Sequence, residues 1–521
     1  MTRIFYEKMK YHMNSTQSRW LNIVAQLVTA SAAICFFSYV SADPDLWGHI
    51  KFGEDLWKAK SLVRVDSYSF TAHGQPWINH EWLAELIFYF TYHHLGDAGL
   101  LFGKLGIGLV IVGLLYHLCN LRKNDTIVYT IIIVLAIVVI SPGFMIRPQL
   151  FSFLFFTLYL YIFHLYFIEK KNLLFLLPCI MVFWVNLHGG FLMGWVFLSI
   201  VVGWNTFAHV LLGKKDESIS VLWLWFLLTS LAPLMNPYGY KLILFLYKTL
   251  SIPRQISEWN PIHLVDLSHL HFKIMVLLFF AVLFTRAKYE VGWEDAAVAM
   301  TLTASFFHQR HTPFFGIVIT PYLVNRLSTL KSDVKSRMPS LTLTKISQNI
   351  LAAFLGLLVI YQAYCGISKY VLAHGRIIVD SQTYPESAVK FLKKKTIKGN
   401  LLLPMEWGEY AIWKLYPDCK VSIDGRFRTV YPGSVIQDHF VSDLDSARWM
   451  ALIEKYPADI LLARQTSFFQ ELVKSSDQWI YVYSDHTAII FLKKNEKNKG
   501  FLLRFKAGQF VRPDPPSIYF P

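Results

Sequence analysis

The sequence SADPDLWGHI at residues 41–50 follows directly on the apolar run 21–40, and this junction indicates the fold. A run of about 20 apolar residues is long enough to cross a bilayer as a helix. The chain therefore leaves a membrane and at once presents two carboxylates and an imidazole, those of Asp43, Asp45 and His49. Such groups at a membrane surface either have a structural role or belong to a site.

A helix start at Asp43 and Pro44 is the structural explanation of this pattern. Aspartate is favoured at the N-cap and proline at the first helical position, so we expect a helix that ends near Ala59. A carboxylate at Asp45 would then favour the helix dipole. Asp45 also shares a helix face with His49, four residues later, so the two side chains could act together.

The loop at residues 41–96 is long for a connection between two spans. Its second half, HGQPWINHEWLAEL at 73–86, contains another helix start, with Asn79 as the cap before Glu81. Ordered loops of this length are often functional. The sequence therefore predicts two interfacial helices in a functional loop.

The composition is that of a polytopic membrane protein. Hydrophobic residues make up 54% of the chain and charged residues only 16%, with a mean hydropathy of +0.38, which is too apolar for a soluble protein. The net charge of +15 comes from short clusters of Lys and Arg between apolar runs, as in cytoplasmic loops, so a nucleic-acid partner is excluded. The five cysteines have no metal or redox spacing and are expected to be small buried hydrophobes.

The apolar runs predict about eleven spans, since a spanning helix needs roughly 20 apolar residues. They lie near residues 20–40, 97–119, 126–142, 148–168, 172–187, 189–212, 219–235, 271–286, 294–308, 311–327 and 346–367. A shorter run at 239–251 is expected to be re-entrant or interfacial. Basic clusters mark the cytoplasmic side, which puts the N-terminus inside the plasma (inner) membrane and, with an odd number of spans, the C-terminal segment outside.

Short polar motifs at the ends of several spans collect on the extracytoplasmic face. They are IRPQ (146–149), NLHGG (186–190), NPYGY (236–240), EWNP (258–261) and HQRHT (308–312). Because the sides were assigned from the basic clusters alone, this gathering predicts a single extracytoplasmic site that includes Asp43 and Asp45. Each motif also has a structural explanation, since Asn-Pro and Arg-Pro form turns and helix ends, and interfacial His and Arg reach toward headgroups.

From about residue 370 the apolar runs shorten and alternate with helical patterns. Strands are expected at 400–403, 420–423, 458–463, 478–484 and 487–493, and helices at 385–395, 408–415, 433–440, 445–456 and 466–474. This pattern predicts a small extracytoplasmic α/β domain at 370–496. A basic, Pro-rich tail at 497–521 is expected to be extended or partly disordered.

Asp424 and Arg426 follow the predicted strand at 420–423, and strand ends often carry sites in α/β folds. The alternative is a turn in which Gly425 has a positive φ and the arginine pairs with the aspartate. No glycine-rich phosphate loop precedes a helix here, so the domain is not expected to bind a nucleotide sugar.

The order of these features resembles the GT-C superfamily of membrane glycosyltransferases, in particular its bacterial mannosyltransferase-like group, which takes sugars from polyprenyl-phosphate carriers. The resemblance covers nearly the whole chain. The motifs that carry it are DPDLWGHIKFGEDL (43–56), DSYSFT (66–71), PWINHEWLAELIFY (76–89), RPQLFSF (147–153), NLHGGF (186–191), NPYG (236–239), RHTPFF (310–315), EWGEYAIWKLYP (406–417) and VSIDGR (421–426). The predicted fold is thus a polytopic α-helical membrane domain at 1–369, which includes the loop 41–96, with the small α/β domain behind it.

The resemblance implies that an acidic residue of the first outer loop works at the reaction centre. Asp43 best matches the acidic position of the family and Asp45 is the alternative; either could be the general base on an acceptor hydroxyl. The leaving polyprenyl phosphate carries charge that arginine, histidine or a metal can stabilise. The candidate contacts of donor and acceptor are His49, Glu81, Arg147, Gln149, His188, His308, Arg310, His311, Asp424 and Arg426.

Metal use differs among these relatives, and the sequence does not require a cofactor. Asp43, Asp45 and His49 supply two oxygens and one nitrogen, so they could hold a divalent ion such as Mg²⁺ or Mn²⁺.

The predicted function is therefore transfer of one sugar from a polyprenyl-phosphate donor to a glycan, lipid or protein acceptor on the extracytoplasmic face, with inversion at the anomeric carbon. Two alternatives stay open. A transporter or flippase of lipid-linked sugar would need charged residues near span centres and repeated halves. A noncatalytic assembly protein would keep the GT-C fold without the reaction.

Overall fold

The computed structural model describes residues 2–122, 124–213, 219–250, 256–285, 291–337, 345–442, 446–465, 476–505 and 519–520. The predicted helix at 466–474 and most of the predicted tail lie outside these ranges. The chain divides into two compact units. The helical unit comprises Met1–Tyr39, Leu101–Asn236 and Arg254–His374, and the mixed unit comprises Val40–Leu100, Pro237–Pro253 and Gly375–Pro521.

Helices make up most of the described chain. In chain order they are α1 (Thr2–Phe37), α2 (Leu46–Ala59), α3 (Trp82–Leu121), α4 (Thr126–Ile140), α5 (Gln149–Phe167), α6 (Leu176–Leu187), α7 (Phe191–Leu211), α8 (Ile219–Leu231), α9 (Tyr240–Leu250), α10 (Leu270–Leu283), α11 (Trp293–Phe307), α12 (Thr312–Arg337), α13 (Lys345–Leu372), α14 (Glu386–Lys394), α15 (Met405–Leu415), α16 (Gly433–Ser442), α17 (Ser446–Lys455) and α18 (Glu496–Leu502). Helix α3 is interrupted at Gly96, whose φ of 61° and ψ of −158° are not helical. A predicted span begins at the next residue, 97.

Six helical segments within the described ranges are long and apolar enough to cross a membrane. They are Trp20–Phe37, Trp82–Leu121, Thr126–Gly143, Gln149–Phe167, Phe191–Leu211 and Phe354–Leu372. The pair Ile219–Met235 and Tyr240–Thr249 makes a seventh if it is counted as one span, and α6 and α10 are apolar but shorter. A helical membrane protein is thus confirmed, whereas the figure of about eleven spans, which followed from apolar length, is not.

Close helix packing in the helical unit depends on small residues. Helix α1 packs against α4 and α13, and α4 packs against α12. A Cβ at Gly366 would lie 2.7 Å from the side chain of Ile34, so glycine is required where α13 meets α1. Ser31 donates a hydrogen bond to Gln362 at 2.9 Å between the same helices, which pairs two buried polar groups.

A five-stranded sheet lies in the mixed unit and confirms the small α/β region predicted at the C-terminal end. Its strands are β1 (Gly399–Leu402), β2 (Cys419–Val421), β3 (Ile460–Arg464), β4 (Trp479–Ser484) and β5 (Ala488–Lys493), in the order β2-β1-β3-β5-β4. Strand β1 is parallel to β2 and β3, and α15 provides the crossover from β1 to β2. Strands β4 and β5 form the predicted antiparallel hairpin around Asp485 and His486.

The loop 41–96 belongs to the mixed unit. Ser41 forms a bridge with Ile378, and Ser69 forms one with Val421 at the end of β2. Helix α2 packs against α15. The sequence grouped this loop with the membrane domain 1–369 because it is enclosed by spans along the chain, but its contacts are with Gly375–Pro521. The boundary at residue 370 stays a prediction.

Candidate active site

The start of α2 differs from the predicted start by two residues. Asp45, rather than Asp43, occupies the N-cap, and the Asp45 side chain makes no capping hydrogen bond. Asp43 Oδ1 accepts the backbone N–H of Asp45 at 3.0 Å, and the Asp43 carbonyl accepts that of Leu46 at 3.1 Å. This aspartate turn competes with helix capping and keeps Pro44 outside the helix. The end of the helix at Ala59 is as predicted.

The first turn of α2 is capped by a residue from α15. Glu409 Oε2 accepts the backbone N–H of Gly48 at 3.1 Å. Gly48 permits this approach, because a Cβ there would overlap the Glu409 carboxyl group. The hydrogen bond satisfies one of the donors that a helix start leaves unpaired. Glu409 therefore performs the capping role that the sequence assigned to Asp43.

Asp45 and Glu409 also come together at Gly425, which follows β2. A Cβ at Gly425 would lie 2.5 Å from Asp45 Oδ1 and 2.6 Å from Glu409 Oε1, so a larger residue would displace one of the two oxygens. Burial, followed by the negative charges of Asp45 and Asp424, raises the pKa of Glu409 well above its ordinary range. The protonated form of Glu409 is thus favoured, which lets this residue lie beside other acids.

Arg426 is paired with acids in the core of the mixed unit. Its guanidinium donates to both carboxylate oxygens of Asp424, at 2.9 and 2.7 Å, and its Nη1 lies 2.7 Å from Asp66 Oδ1. Tyr431 donates to the same Asp424 carboxylate at 2.6 Å. Three aromatic rings surround the guanidinium at 4.8 to 5.1 Å: Phe52, Tyr68 and Trp77. This is the arrangement expected of a buried charge that holds loops together.

The predicted Asp–Arg turn is therefore present after β2, but its backbone differs from the expected one. The residue with positive φ is Phe427, at 46°, and not Gly425. Gly425 is needed for space rather than for backbone conformation. Because Arg426 is only 7% exposed and is bound by two carboxylates, the structure favours a structural role for it. Substrate contact by Asp424 and Arg426 stays a prediction.

The other candidates in the loop 41–96 lie at the two helix starts. His49 is 8% exposed on α2, with its ring centroid 6.0 Å from that of Phe88. Glu81 lies 3.7 Å from His80, and its backbone N–H donates to Asn79 Oδ1 at 3.3 Å. Helix α3 begins only at Trp82, so Asn79, like Asp43, forms a turn ahead of the helix rather than the predicted cap.

The set Asp43, Asp45 and His49 does not fit a metal ion. Among the residues that the structure describes, no three His, Cys, Asp or Glu side chains are gathered to hold one.

The helical unit holds the basic candidates, and the EWNP segment organises three of them. Glu258 pairs with Arg147 at 2.5 Å, and the Arg310 guanidinium lies 4.6 Å from the centroid of the Trp259 ring. The carbonyl of Trp259 contacts His308 Nδ1 at 2.7 Å. No residue spacing in the sequence links this segment to the basic candidates. In the structure, two arginines and a histidine contact its consecutive residues Glu258 and Trp259.

The remaining candidates of the helical unit have identifiable local partners. Gln149 donates through Nε2 to the Gly143 carbonyl at 2.8 Å, which is a structural hydrogen bond at the start of α5. His311 has its ring 5.8 Å from that of His308. His188 Nδ1 lies 2.7 Å from Ser152 Oγ. Substrate contact by these three side chains stays a prediction.

Two residues of this site were absent from the predicted set. Glu409 lies in EWGEYAIWKLYP (406–417), one of the motifs that carry the GT-C resemblance. Asp66 opens DSYSFT, and its carboxylate also accepts from the Ser69 hydroxyl at 2.6 Å. The sequence signal for each was an acid inside a quoted motif, without an indication of its partner.

No family model and no curated protein matches the chain. Solved structures do match it. The Archaeoglobus fulgidus oligosaccharyltransferase, tethered with an acceptor peptide, is 11% identical, with 91% of this chain and 74% of that chain covered and a TM-score of 0.58. Cupriavidus metallidurans ArnT, bound to undecaprenyl phosphate, is 9% identical, with 92% and 99% covered and a TM-score of 0.51.

The mycobacterial arabinofuranosyltransferase AftD is a third match, at 12% identity and a TM-score of 0.52, with 92% of this chain but only 40% of that chain covered. All three are membrane glycosyltransferases of the GT-C superfamily. At such low identity the similarity establishes the fold. The GT-C resemblance read from the sequence motifs is thereby confirmed at the level of the fold.

Proposed function

We propose that this chain, which has the fold of the GT-C membrane glycosyltransferases, transfers one sugar from a polyprenyl-phosphate carrier to a glycan, lipid or protein acceptor. The reaction would take place on the extracytoplasmic face of the plasma (inner) membrane. The observation that carries the proposal is that Asp45 holds the N-cap position without capping, since Glu409 supplies the hydrogen bond. Capping therefore does not explain an acid at position 45.

Asp45 is the general base in this proposal, and Asp43 positions it. Asp43 is 6% exposed and binds the backbone N–H of Asp45, whereas the Asp45 side chain is partly exposed. A base must come within hydrogen-bond distance of the hydroxyl that it deprotonates. The family resemblance favours Asp43 as the general base, whereas the greater exposure of the Asp45 side chain to an incoming acceptor favours Asp45.

The reaction is a direct displacement. Asp45 accepts the proton of the acceptor hydroxyl while the hydroxyl oxygen forms a bond to the anomeric carbon. The bond from that carbon to the phosphate oxygen breaks, its electron pair stays on the polyprenyl phosphate, and the anomeric centre is inverted. Arg147 and Arg310 are the proposed contacts of the phosphate, because a guanidinium can bind two of its oxygens.

Sugar transfer in isolated membranes tests the proposal. Wild type is compared with Asp43→Asn and Asp45→Asn at matched protein levels, and carrier-linked sugars and outer glycans are measured by mass spectrometry. Glu54→Gln is a matched control, because Glu54 lies on the same helix and pairs only with Lys51 and Lys58 of that helix in the described contacts.

We expect Asp45→Asn to accumulate carrier-linked sugar, with a rate about 100-fold or more below that of wild type, since general bases contribute on this scale. Asp43→Asn should retain more activity, and Glu54→Gln should resemble wild type. If neither aspartate variant changes any glycan while both stay folded, the glycosyltransferase proposal fails and a transporter or assembly function takes its place.

A further inference from the structure

A chain of hydrogen bonds at one end of α5 and α6 in the helical unit ends at His188. The Trp184 indole Nε1–H donates to Ser152 Oγ at 2.7 Å. Ser152 Oγ lies 2.7 Å from His188 Nδ1, and the backbone N–H of Gly190 donates to the same Nδ1 at 3.1 Å. Ser152 is on α5, Trp184 is on α6, and His188 follows α6 directly.

The positions of the protons in this chain follow from the chemistry of its donors. A backbone N–H can only donate, so His188 Nδ1 must be an acceptor and carries no proton. Ser152 must then donate its hydroxyl proton to Nδ1, and its oxygen is available to accept from the Trp184 indole. The neutral imidazole of His188 therefore carries its proton on Nε2. Protonation of Nδ1 would break the hydrogen bond from Gly190 and would reverse the one with Ser152, whose oxygen would then accept.

The surrounding packing holds these groups in place. Trp184 and Ser152 are fully buried, at 0% exposure. A Cβ at Gly190 would overlap Ser152 Oγ and would lie 2.7 Å from His188 Nδ1, so residue 190 must be glycine. A Cβ at Gly194 would overlap the Trp184 ring. The imidazole is thus fixed by residues that have little freedom to move.

We propose that Ser152 and Trp184 are positioning residues that present His188 as an Nε2–H donor to an anionic phosphate oxygen of the lipid carrier. The inference rests on the proposed function for the identity of the ligand. A hydrogen bond from N–H to an oxyanion is stronger than one between neutral groups, and the hydrogen bond made by one ring nitrogen sets which nitrogen carries the proton.

Nitrogen NMR of the full-length protein, labelled with ¹⁵N-histidine, tests the tautomer directly. The His188 signals are assigned from their loss in His188→Gln. We expect Nε2 to carry the proton of the neutral imidazole in wild type at pH 8. Ser152→Ala removes one of the two donors to Nδ1 and leaves the bond from Gly190, so the Nδ1 signal should shift toward that of a less strongly bound acceptor.

Thr157→Val is the matched control. Thr157 is also fully buried on α5, and its hydroxyl donates to the Phe153 carbonyl of the same helix at 2.7 Å. The His188 signals should be unchanged in this variant. Trp184→Phe keeps an aromatic ring but removes the indole N–H, and we expect a smaller shift in the same direction as that of Ser152→Ala.

Binding of undecaprenyl phosphate to the same purified variants tests the ligand. We expect Ser152→Ala and His188→Gln to bind it about tenfold more weakly than wild type, the typical effect of one lost hydrogen bond to a charged group. Thr157→Val should bind like wild type.

The inference is overturned if Nδ1 carries the proton in wild type, or if Ser152→Ala binds as tightly as Thr157→Val. Neither measurement uses sugar transfer, so a failure of the proposed function would be seen separately.

Discussion

The carboxyl group of Glu409 accepts the backbone N–H of Gly48 at 3.1 Å, although 361 residues of sequence separate the two. The bond joins the first turn of α2 to α15 within the mixed unit. Gly48 and Gly425, on either side of the carboxyl group, leave no room for a Cβ. The position of Asp45, the proposed base, is therefore fixed by a residue of the C-terminal segment.

Replacement of Glu409 separates the role of its shape from the role of its charge. Glu409→Gln keeps an acceptor for Gly48 and resembles the protonated acid, so we expect the stability of wild type below pH 4.5, where the carboxyl group is protonated in both the folded and the unfolded chain. Glu409→Ala leaves a buried N–H without a partner and should cost about 1–3 kcal/mol of unfolding free energy. Thermal unfolding of the purified variants measures both. Equal stability of the two variants would show that the hydrogen bond does not matter.

The raised pKa of Glu409 predicts a pH dependence of stability. The folded state favours the protonated acid, so its contribution is fully present below the ordinary value of 4.5 and is lost as the pH rises toward the raised folded pKa. The melting temperature of wild type should therefore fall, relative to that of Glu409→Gln, between pH 5 and pH 8. Unfolding curves of the two proteins across this range provide the measurement. A constant difference would mean that Glu409 is ionised in the folded protein.

Gly425→Ala places a methyl group against the oxygens of Asp45 and Glu409. We expect sugar transfer to fall about 100-fold, because a small misplacement of a catalytic group can cost that much. Gly433→Ala is the control, since a Cβ at Gly433 has nothing within 4 Å. Rates at matched protein levels should separate the two variants, and similar rates would argue against a catalytic position for Asp45.

Arg426→Gln leaves two buried carboxylates, those of Asp424 and Asp66, without their cation. We expect a loss of about 3–5 kcal/mol in stability, typical of breaking a buried ion pair. Arg464→Gln removes an arginine that is 46% exposed and 3.5 Å from Glu406, and it should cost less than about 1 kcal/mol. Chemical or thermal unfolding of each variant compares them. A mild effect of Arg426→Gln, together with weaker acceptor binding, would favour the substrate-contact role instead.

Trp259→Ala removes the ring beneath the Arg310 guanidinium. A cation–π contact of about 1.4 kcal/mol corresponds to a tenfold change in affinity. If Arg310 contacts the phosphate and Trp259 holds Arg310 in place, undecaprenyl phosphate should bind about tenfold more weakly. Trp223→Ala is the control, because Trp223 is 40% exposed in the same unit and donates to Thr206. Titration with the lipid distinguishes the variants. Unchanged affinity in Trp259→Ala would remove Arg310 from the set of carrier contacts.

The elements that depend on local pattern were predictable from the sequence. The end of α2 at Ala59 and the hairpin of β4 and β5 follow from periodicity and turn residues within a few positions. The pairing of Asp424 with Arg426 was also foreseen as an alternative, because one residue separates them. The predicted start of α2 was wrong because the Asp43 side chain binds the backbone of Asp45. This aspartate turn competes with an N-cap at Asp43, and the residue types alone do not decide between the two.

The contacts that assemble the candidate site could not be read from the sequence. Glu409 was visible in a quoted motif, but its partner Gly48 is 361 residues away. Asp66 and Arg426 are likewise remote in the chain yet 2.7 Å apart. Residue type and spacing describe neighbours along the chain, whereas these pairs exist only because the loop 41–96 folds onto the C-terminal segment. Trp259 and Arg310 are separated in the chain by helices α10 and α11, so their contact also depends on tertiary packing.

The bond between Glu409 and Gly48 also sets an order of events during synthesis. At about 5–20 residues per second, the ribosome needs on the order of 20 to 70 seconds to pass from one residue to the other. For that interval Glu409 is not yet available to accept the Gly48 N–H, while the apolar helices between the two residues are being synthesised. The pair of Asp45 and Glu409 is thus completed only after translation has passed those helices, and the proposed site stays incomplete until then.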